Sequence, residues 1–140
     1  MSHHCKSIII HCMDFRLVEQ TRKWMKQEGL LGDSDEVSLA GASKEIVDGD
    51  EQVRELLLKQ IKISCDLHCA CQVVLLHHSD CGAYKASYNF KSKEEEKQKQ
   101  LEDMAKVEGI IKERFKGLNI IKIWAQMKDD NGGEVEFYKV

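Results

Sequence analysis

Two short segments of the sequence carry most of its reactive side chains. The segment HCMDFR (residues 11–16) places a thiol, a carboxylate and a guanidinium at alternate positions, which are Cys12, Asp14 and Arg16. The segment HSDCGA (residues 78–83) adds His78 and Cys81 in a compact His-x-x-Cys spacing. Two thiols and an imidazole suit zinc, and three protein ligands leave a fourth position open, as in catalytic sites. The spacing therefore predicts a zinc site of Cys12, His78 and Cys81, with two buried thiols and an ordinary loop histidine as the alternative.

Asp14 and Arg16 lie next to this set, and two arrangements are open to them. In the first, Asp14 is itself the fourth ligand and closes the site. In the second, Arg16 holds Asp14 in a bidentate pair, and the carboxylate accepts a hydrogen bond from hydroxide on the zinc. The two-residue spacing puts both side chains on the same side of an extended chain. The alternative interpretation is an ordinary surface ion pair.

Other histidines and cysteines are weaker candidates. His77 is expected to point to the opposite side of its strand, although an i,i+4 pairing with Cys81 would make it the ligand instead. The segment CDLHCAC could form a second metal site, but we expect small buried residues there. Its four candidates are Cys65, His68, Cys69 and Cys71. His3, His4 and Cys5 could bind metal adventitiously, but we expect a disordered terminus.

Apolar periodicity predicts strands and helices in alternation. Five strands are expected, at Ser7–Cys12, Glu36–Ala40, Gln72–Leu76, Asn119–Met127 and Glu134–Val140, the last after the turn signal DDNGG. Helices are expected between the first four strands, with capping boxes at Asp48/Glu51 and Ser92/Glu95. The charged stretch Lys91–Gln100 is interpreted as the solvated face of the third helix rather than as an interaction tail.

This alternation predicts an α/β fold. We expect residues 1–140 to form a single three-layer domain, with a mostly parallel central sheet of about five strands and an antiparallel last strand at the edge. Ligands of such sheets bind at the carboxyl ends of the strands, where the strand order reverses. If the first and third strands are neighbours, Cys12, His78 and Cys81 meet at one edge.

Composition narrows the class of protein. The chain has 140 residues and a formal net charge of −3, so no basic field favours nucleic acid or an anionic membrane. No apolar run approaches the roughly 20 residues that span a bilayer. The start MSHHCK lacks the apolar region of a secretory signal, so we expect a cytoplasmic protein. In that compartment metal ligands or free thiols are favoured over disulfides for the six cysteines.

The same segments resemble a known family. CMDFR resembles the Cys-x-Asp-x-Arg motif of the β-class carbonic anhydrases, and HSDCGA resembles their His-x-x-Cys-Gly motif. LGDSDEVSLAGAS (residues 31–43) is similar to their Gly-Asp-Ala-Asp … Ala-Gly segment, and IWAQMKDDNGGEVEFY (residues 123–138) is similar to their last two strands. Ser38-Leu39 stand where many members have Arg-Asn.

The resemblance implies a five-stranded, largely parallel sheet, one Zn²⁺ per chain held by Cys12, His78 and Cys81, and a homodimer or higher oligomer with sites near the interface. The implied activity is that of a lyase, the reversible hydration of carbon dioxide to bicarbonate, with Asp14 and Arg16 as catalytic residues. Zinc would supply hydroxide for that reaction near neutral pH, and two thiolates should shift the activity toward alkaline pH. The alternatives are a non-hydrating zinc-binding protein of this fold, or a hydrolase of carbonyl sulfide or carbon disulfide.

Overall fold

The computed structural model describes residues 3–140, in which strands and helices alternate as the apolar pattern predicts. A 3₁₀ turn (Phe15–Leu17) precedes the first helix. The strands are β1 (Ser7–Cys12), β2 (Ser34–Leu39), β3 (Gln72–His78), β4 (Asn119–Met127) and β5 (Val135–Lys139). The helices are α1 (Val18–Gln27), α2 (Lys44–Asp48), α3 (Glu51–His68), α4 (Gly82–Ser87) and α5 (Lys93–Arg114).

The strands form one sheet in the order β2-β1-β3-β4-β5. The first four are parallel, and β5 pairs antiparallel with β4 at the edge. Since β1 lies between β2 and β3, the direction in which strands are added reverses beside β1, which is where such sheets bind ligands. The predicted α/β fold with a mostly parallel five-stranded sheet is confirmed.

Helices cover both faces of the sheet because the central strands are apolar on both sides. Ile8 and Ile10 of β1 pack in the core beneath α2, α3 and α5, whereas Ile9 packs in the core beneath α1. On the α1 side, Trp24 stacks on Phe137 of β5 with ring centroids 5.1 Å apart. All three isoleucines are essentially unexposed, as expected for strands buried on both faces.

Helix ends differ from the sequence predictions in two places. Half of the predicted capping box at Ser92 and Glu95 is present: the Ser92 hydroxyl accepts the backbone N–H of Glu95. The prediction of a capping box at Asp48 was wrong, because Asp48 is the last residue of the short helix α2, which was not predicted. Asp50 caps α3 instead and accepts the backbone N–H of Val53.

Candidate metal centre

The fold brings Cys12, His78 and Cys81 together at the carboxyl edge of the sheet. Cys12 ends β1, His78 ends β3, and Cys81 immediately precedes α4. Because β1 and β3 pair in parallel, with His11 opposite Leu76, both strands end at the same edge of the sheet. One ligand atom from each of the three side chains lies within 4.8 Å of the other two. His78 and Cys81 are buried and Cys12 is half-buried.

His78 has a ring nitrogen that suits a metal. Its Nδ1 lies 2.7 Å from the carbonyl oxygen of Ser79, so this nitrogen donates. The buried Nε2 therefore carries a lone pair, and it has no hydrogen-bond partner among residues 3–140. Its nearest carboxylate oxygen, Oδ2 of Asp14, is 4.0 Å away. Buried polar atoms without a partner are rare in folded proteins, so the residues present fit a metal such as zinc at this point.

The two thiols of the centre share one proton. The pKa of Cys12 lies well below its ordinary value, chiefly because the Cys81 thiol donates a hydrogen bond to it, and burial opposes this effect. The pKa of Cys81 is raised because this thiol donates a hydrogen bond to Cys12 and is buried. Burial lowers the pKa of His78, but the close approach of the Cys12 sulfur, by hydrogen bonding and by charge, outweighs burial and raises it overall. A dipositive ion would replace these protons and bind both thiols as thiolates.

Arg16 holds Asp14 beside the centre in a paired arrangement. Its Nε donates to Oδ1 of Asp14 at 3.0 Å, and its Nη2 donates to Oδ2 at 2.6 Å. The guanidinium also donates to Asp80, from Nη1 to Oδ2 at 2.9 Å and from Nη2 to the backbone oxygen at 3.0 Å. Only 13% of the Asp14 side chain and 18% of the Arg16 side chain are exposed, so this is not an open surface pair. The hydrogen bond from Arg16 lowers the pKa of Asp14 and keeps it ionised.

The loop between β4 and β5 contacts Arg16 through Asp130 and Gly132. Nη1 of Arg16 lies 3.4 Å from the backbone oxygen of Asp130. Gly132 adopts a φ of +71°, and a Cβ atom there would lie 2.1 Å from the backbone oxygen of Arg16. Only glycine fits so close to that backbone, so the hairpin turn and the arginine are placed together.

Two buried polar residues of α5 hold the backbone of the candidate ligands. Glu96 accepts the backbone N–H of Cys81 at 2.9 Å. Gln100 donates to the backbone oxygen of His78 at 2.9 Å and to Glu96 at 3.0 Å. The interpretation of Lys91–Gln100 as a solvated face was therefore wrong for Glu96 and Gln100, which are 6% and 1% exposed.

His77 lies on the opposite side of β3 from His78, as strand alternation predicts. It is buried between Ser43, whose hydroxyl lies 2.6 Å from Nε2, and Gln100, whose side-chain oxygen lies 3.0 Å from Nδ1. Burial lowers its pKa to about 4, so the ring stays neutral. Both of its nitrogens are occupied, which leaves His78 as the imidazole of the centre.

The remaining cysteines differ from expectation. All six cysteines, which lie within residues 3–140, are free thiols. The expectation that CDLHCAC consists of buried residues was wrong, because Cys69 and Cys71 are exposed and Cys65 is half-buried. Cys69 caps the C-terminus of α3 in the left-handed region at a φ of +57°. Cys5 is not part of a disordered end, since its backbone N–H donates to the oxygen of His68 at 2.9 Å.

Comparison with known proteins identifies the family. A family model described as "Putative carbonic anhydrase" matches residues 2–136. The chain belongs to this family. An uncharacterized protein of Rickettsia bellii is 38% identical over 122 residues, which are 84% of this chain and 74% of that protein. An uncharacterized protein of Rickettsia conorii is 36% identical over 122 residues, which are 84% of this chain and 66% of that protein.

Solved structures agree on the carbonic anhydrase fold. The carbonic anhydrase of Streptococcus mutans has a TM-score of 0.57 at 20% identity, over 99% of this chain and 83% of that one. The β-carbonic anhydrase CafA of Aspergillus fumigatus has a TM-score of 0.63 at 14% identity, over 99% of this chain and 76% of that one. At these identities the likeness establishes the fold, and it confirms the resemblance to the β class that the motifs indicate.

Ser38 marks where this carbonic anhydrase family member departs from the motif pattern. A small pocket of about 130 Å³ adjoins Cys12 and is lined by Leu17, Val18 and Ser38, among others. Ser38 lies opposite His11 and Leu39 lies opposite Cys12 in the β1–β2 register. The register therefore places Ser38 next to His11 in the wall of this pocket, at a position where many β-class members carry a longer side chain.

Proposed function

We propose that this protein is a zinc enzyme that hydrates carbon dioxide reversibly to bicarbonate, with Cys12, His78 and Cys81 as the metal ligands. The observation that carries the proposal is the half-buried pair of Asp14 and Arg16, which lies beside the centre. A purely structural zinc site needs neither residue. Non-hydrating zinc binding is therefore the weaker alternative.

Each residue of the proposed site has a distinct task. Zinc bound there would acidify a water molecule and so supply the nucleophile for the hydration. Asp14 would accept a hydrogen bond from the reacting water at Oδ2, the oxygen that lies 4.0 Å from Nε2 of His78, and so orient it. Arg16 keeps that carboxylate ionised and fixed in direction through a two-point contact. The pocket beside Cys12 is large enough for a small linear molecule, with Leu17 and Val18 as its apolar wall and polar residues that include Arg22 and Glu36 on its other side.

The test of the proposed function combines zinc content with carbon dioxide hydration between pH 7 and pH 9. We expect one tightly held zinc per chain, and activity that rises with pH because two thiolates offset the charge of the metal. Hydration of carbonyl sulfide and carbon disulfide should be measured on the same samples. Tightly bound zinc without carbon dioxide hydration at any pH up to 9 would refute the proposal, and turnover of a sulfur substrate alone would favour the hydrolase.

We also propose a homodimer that uses the apolar surface next to the centre. Met13, Phe15 and Val18 are exposed around the 3₁₀ turn that follows β1, and Phe15 is 84% exposed. Such a cluster of large apolar side chains beside a site is typical of an interface.

Within residues 3–140 no helix has the length and apolarity to cross a membrane. A cytoplasmic location stays a prediction.

Substitution of Phe15 by glutamate should dissociate this dimer. Sedimentation velocity at micromolar concentration should give twice the 16.1 kDa chain mass for the wild type and the single mass for Phe15→Glu, because a carboxylate cannot be buried without a partner. Leu56→Glu is the matched control, since Leu56 is 57% exposed on α3. If only the Leu56 variant dissociates, the interface lies on α3 and the proposed surface is wrong.

A further inference from the structure

We propose a second zinc site at the opposite end of the sheet, formed by Cys5, Asp35 and His68. These three residues are called the amino-end cluster below. One ligand atom from each lies within 4.8 Å of the other two. A thiol, a carboxylate and an imidazole are all ligands that zinc takes in proteins. The site lies beyond the set that the carbonic anhydrase activity requires.

The fold brings the amino-end cluster together from three separate segments. Cys5 lies two residues before β1, Asp35 is the second residue of β2, and His68 is the last residue of α3. The backbone N–H of Cys5 donates to the oxygen of His68 at 2.9 Å. The backbone N–H of Lys6 lies within hydrogen-bond distance of Asp33, 3.1 Å from its backbone oxygen and 2.9 Å from Oδ1. These contacts fix the spacing of the three ligands before any metal binds.

The side-chain geometry of the amino-end cluster suits a metal after a small adjustment. Nδ1 of His68 lies 2.7 and 2.9 Å from the two carboxylate oxygens of Asp35. Zinc bonds of 2.0–2.3 Å place tetrahedral ligand atoms roughly 3.3–3.6 Å apart, so these two groups need to separate by less than about 1 Å. The Ser64 hydroxyl donates to Asp35 at 2.7 Å and would orient the carboxylate on the metal.

The charge state of Asp35 also suits a cation. Burial would raise its pKa, but the hydrogen bonds from Ser64 and His68 outweigh burial and lower it. Cys65 lies one helical turn before His68, and the ring of His3 approaches the His68 ring edge-on with centroids 6.5 Å apart. The surroundings are therefore rich in sulfur and nitrogen donors, which favour zinc over magnesium or calcium.

The amino-end cluster is separate from the carboxyl-edge centre. Ser7 and Cys12 are the first and last residues of β1, which at about 3.3 Å per residue spans roughly 16 Å. No side chain can serve both sites at that distance. A metal in the amino-end cluster would join the segment before β1 to β2 and α3, so we assign it a structural task.

Zinc titration of the full chain against a chromophoric chelator tests this site. We expect two zinc equivalents, the second held more weakly because the amino-end ligands are half-exposed. Cys5→Ser should weaken the second equivalent by more than about tenfold and leave the first equivalent and carbon dioxide hydration unchanged. Asp35→Asn should act in the same way while keeping an acceptor for Ser64. Zinc should raise the unfolding temperature of the wild type more than that of either variant.

Cys69→Ser is the matched control, because this thiol is exposed and adjacent to His68 but is outside the amino-end cluster. It should bind two equivalents like the wild type. Wild-type binding of a single equivalent would overturn the second site, as would a Cys5→Ser variant that binds two equivalents unchanged. Neither outcome affects the proposed hydration activity, whose failure appears in the hydration assay instead.

Discussion

Replacement of Cys12 by alanine should remove the tightly held zinc and reduce carbon dioxide hydration by at least about a thousandfold. Cys12 is the proposed ligand whose pKa is lowered from its ordinary value, chiefly by the hydrogen bond from Cys81. Its loss leaves only His78 and Cys81 at the edge. Metal-derived stabilisation of several kcal/mol corresponds to a rate factor of roughly 10³ or more. Metal analysis and hydration rates on the purified variant give the measurement.

The experiment is cleanest in a Cys5→Ser background, where only the carboxyl-edge centre is expected to bind zinc. Cys71→Ser serves as the control, because this thiol is exposed and belongs to neither cluster of candidate ligands. It should retain zinc and activity. Full zinc retention by the Cys12→Ala variant would show that the metal is bound elsewhere and would contradict the ligand assignment.

The fold was predictable because its strongest signals are local. β1, β3 and β4 are apolar on both faces, a pattern typical of a sheet covered on both sides. The edge location of Cys12 and His78 then follows from parallel pairing, since both residues end neighbouring strands. The motifs added the third residue, Cys81, which no periodicity places.

Short helices and polar contacts across the sheet edge could not be predicted in the same way. α2 has five residues and α4 has six, too few for an apolar period to appear. The cap of α3 was misplaced by two residues because Asp48 and Asp50 are both good capping residues. The structure selects Asp50, since Asp48 is still helical.

Glu96 and Gln100 show why a charged stretch can hide a supporting role. They follow helical spacing of three or four residues that continues to Met104 and Val107, so the core-facing stripe of α5 extends into polar residues. That continuity was visible in the sequence. What it could not reveal is the partner, because the hydrogen bonds go to the backbone of His78 and Cys81.

Arg16→Lys should reduce hydration by about a hundredfold while leaving the zinc bound. Arg16 donates to both carboxylate oxygens of Asp14 and to Asp80 at two points. A lysine ammonium is a point charge that cannot reproduce this fork. The loss of an orienting donor costs roughly 10²–10³ in rate at comparable sites. Hydration rates and zinc content are measured together, and Arg114→Lys is the control, since its two-point pair with Glu55 is exposed.

Asp14→Ala separates an orienting carboxylate from a fourth ligand. The hydrogen bond from Arg16 lowers the pKa of Asp14, so the carboxylate is ionised at neutral pH and loses its charge only in acid. It therefore does not titrate between pH 7 and pH 9. If Asp14 orients the reacting proton, the variant should keep its zinc and lose about 10–100-fold in activity, by a similar factor at pH 7 and pH 9. If Asp14 instead occupies the fourth position at neutral pH, the variant should be more active than the wild type at pH 7. That gain would overturn the role assigned to the Asp14–Arg16 pair.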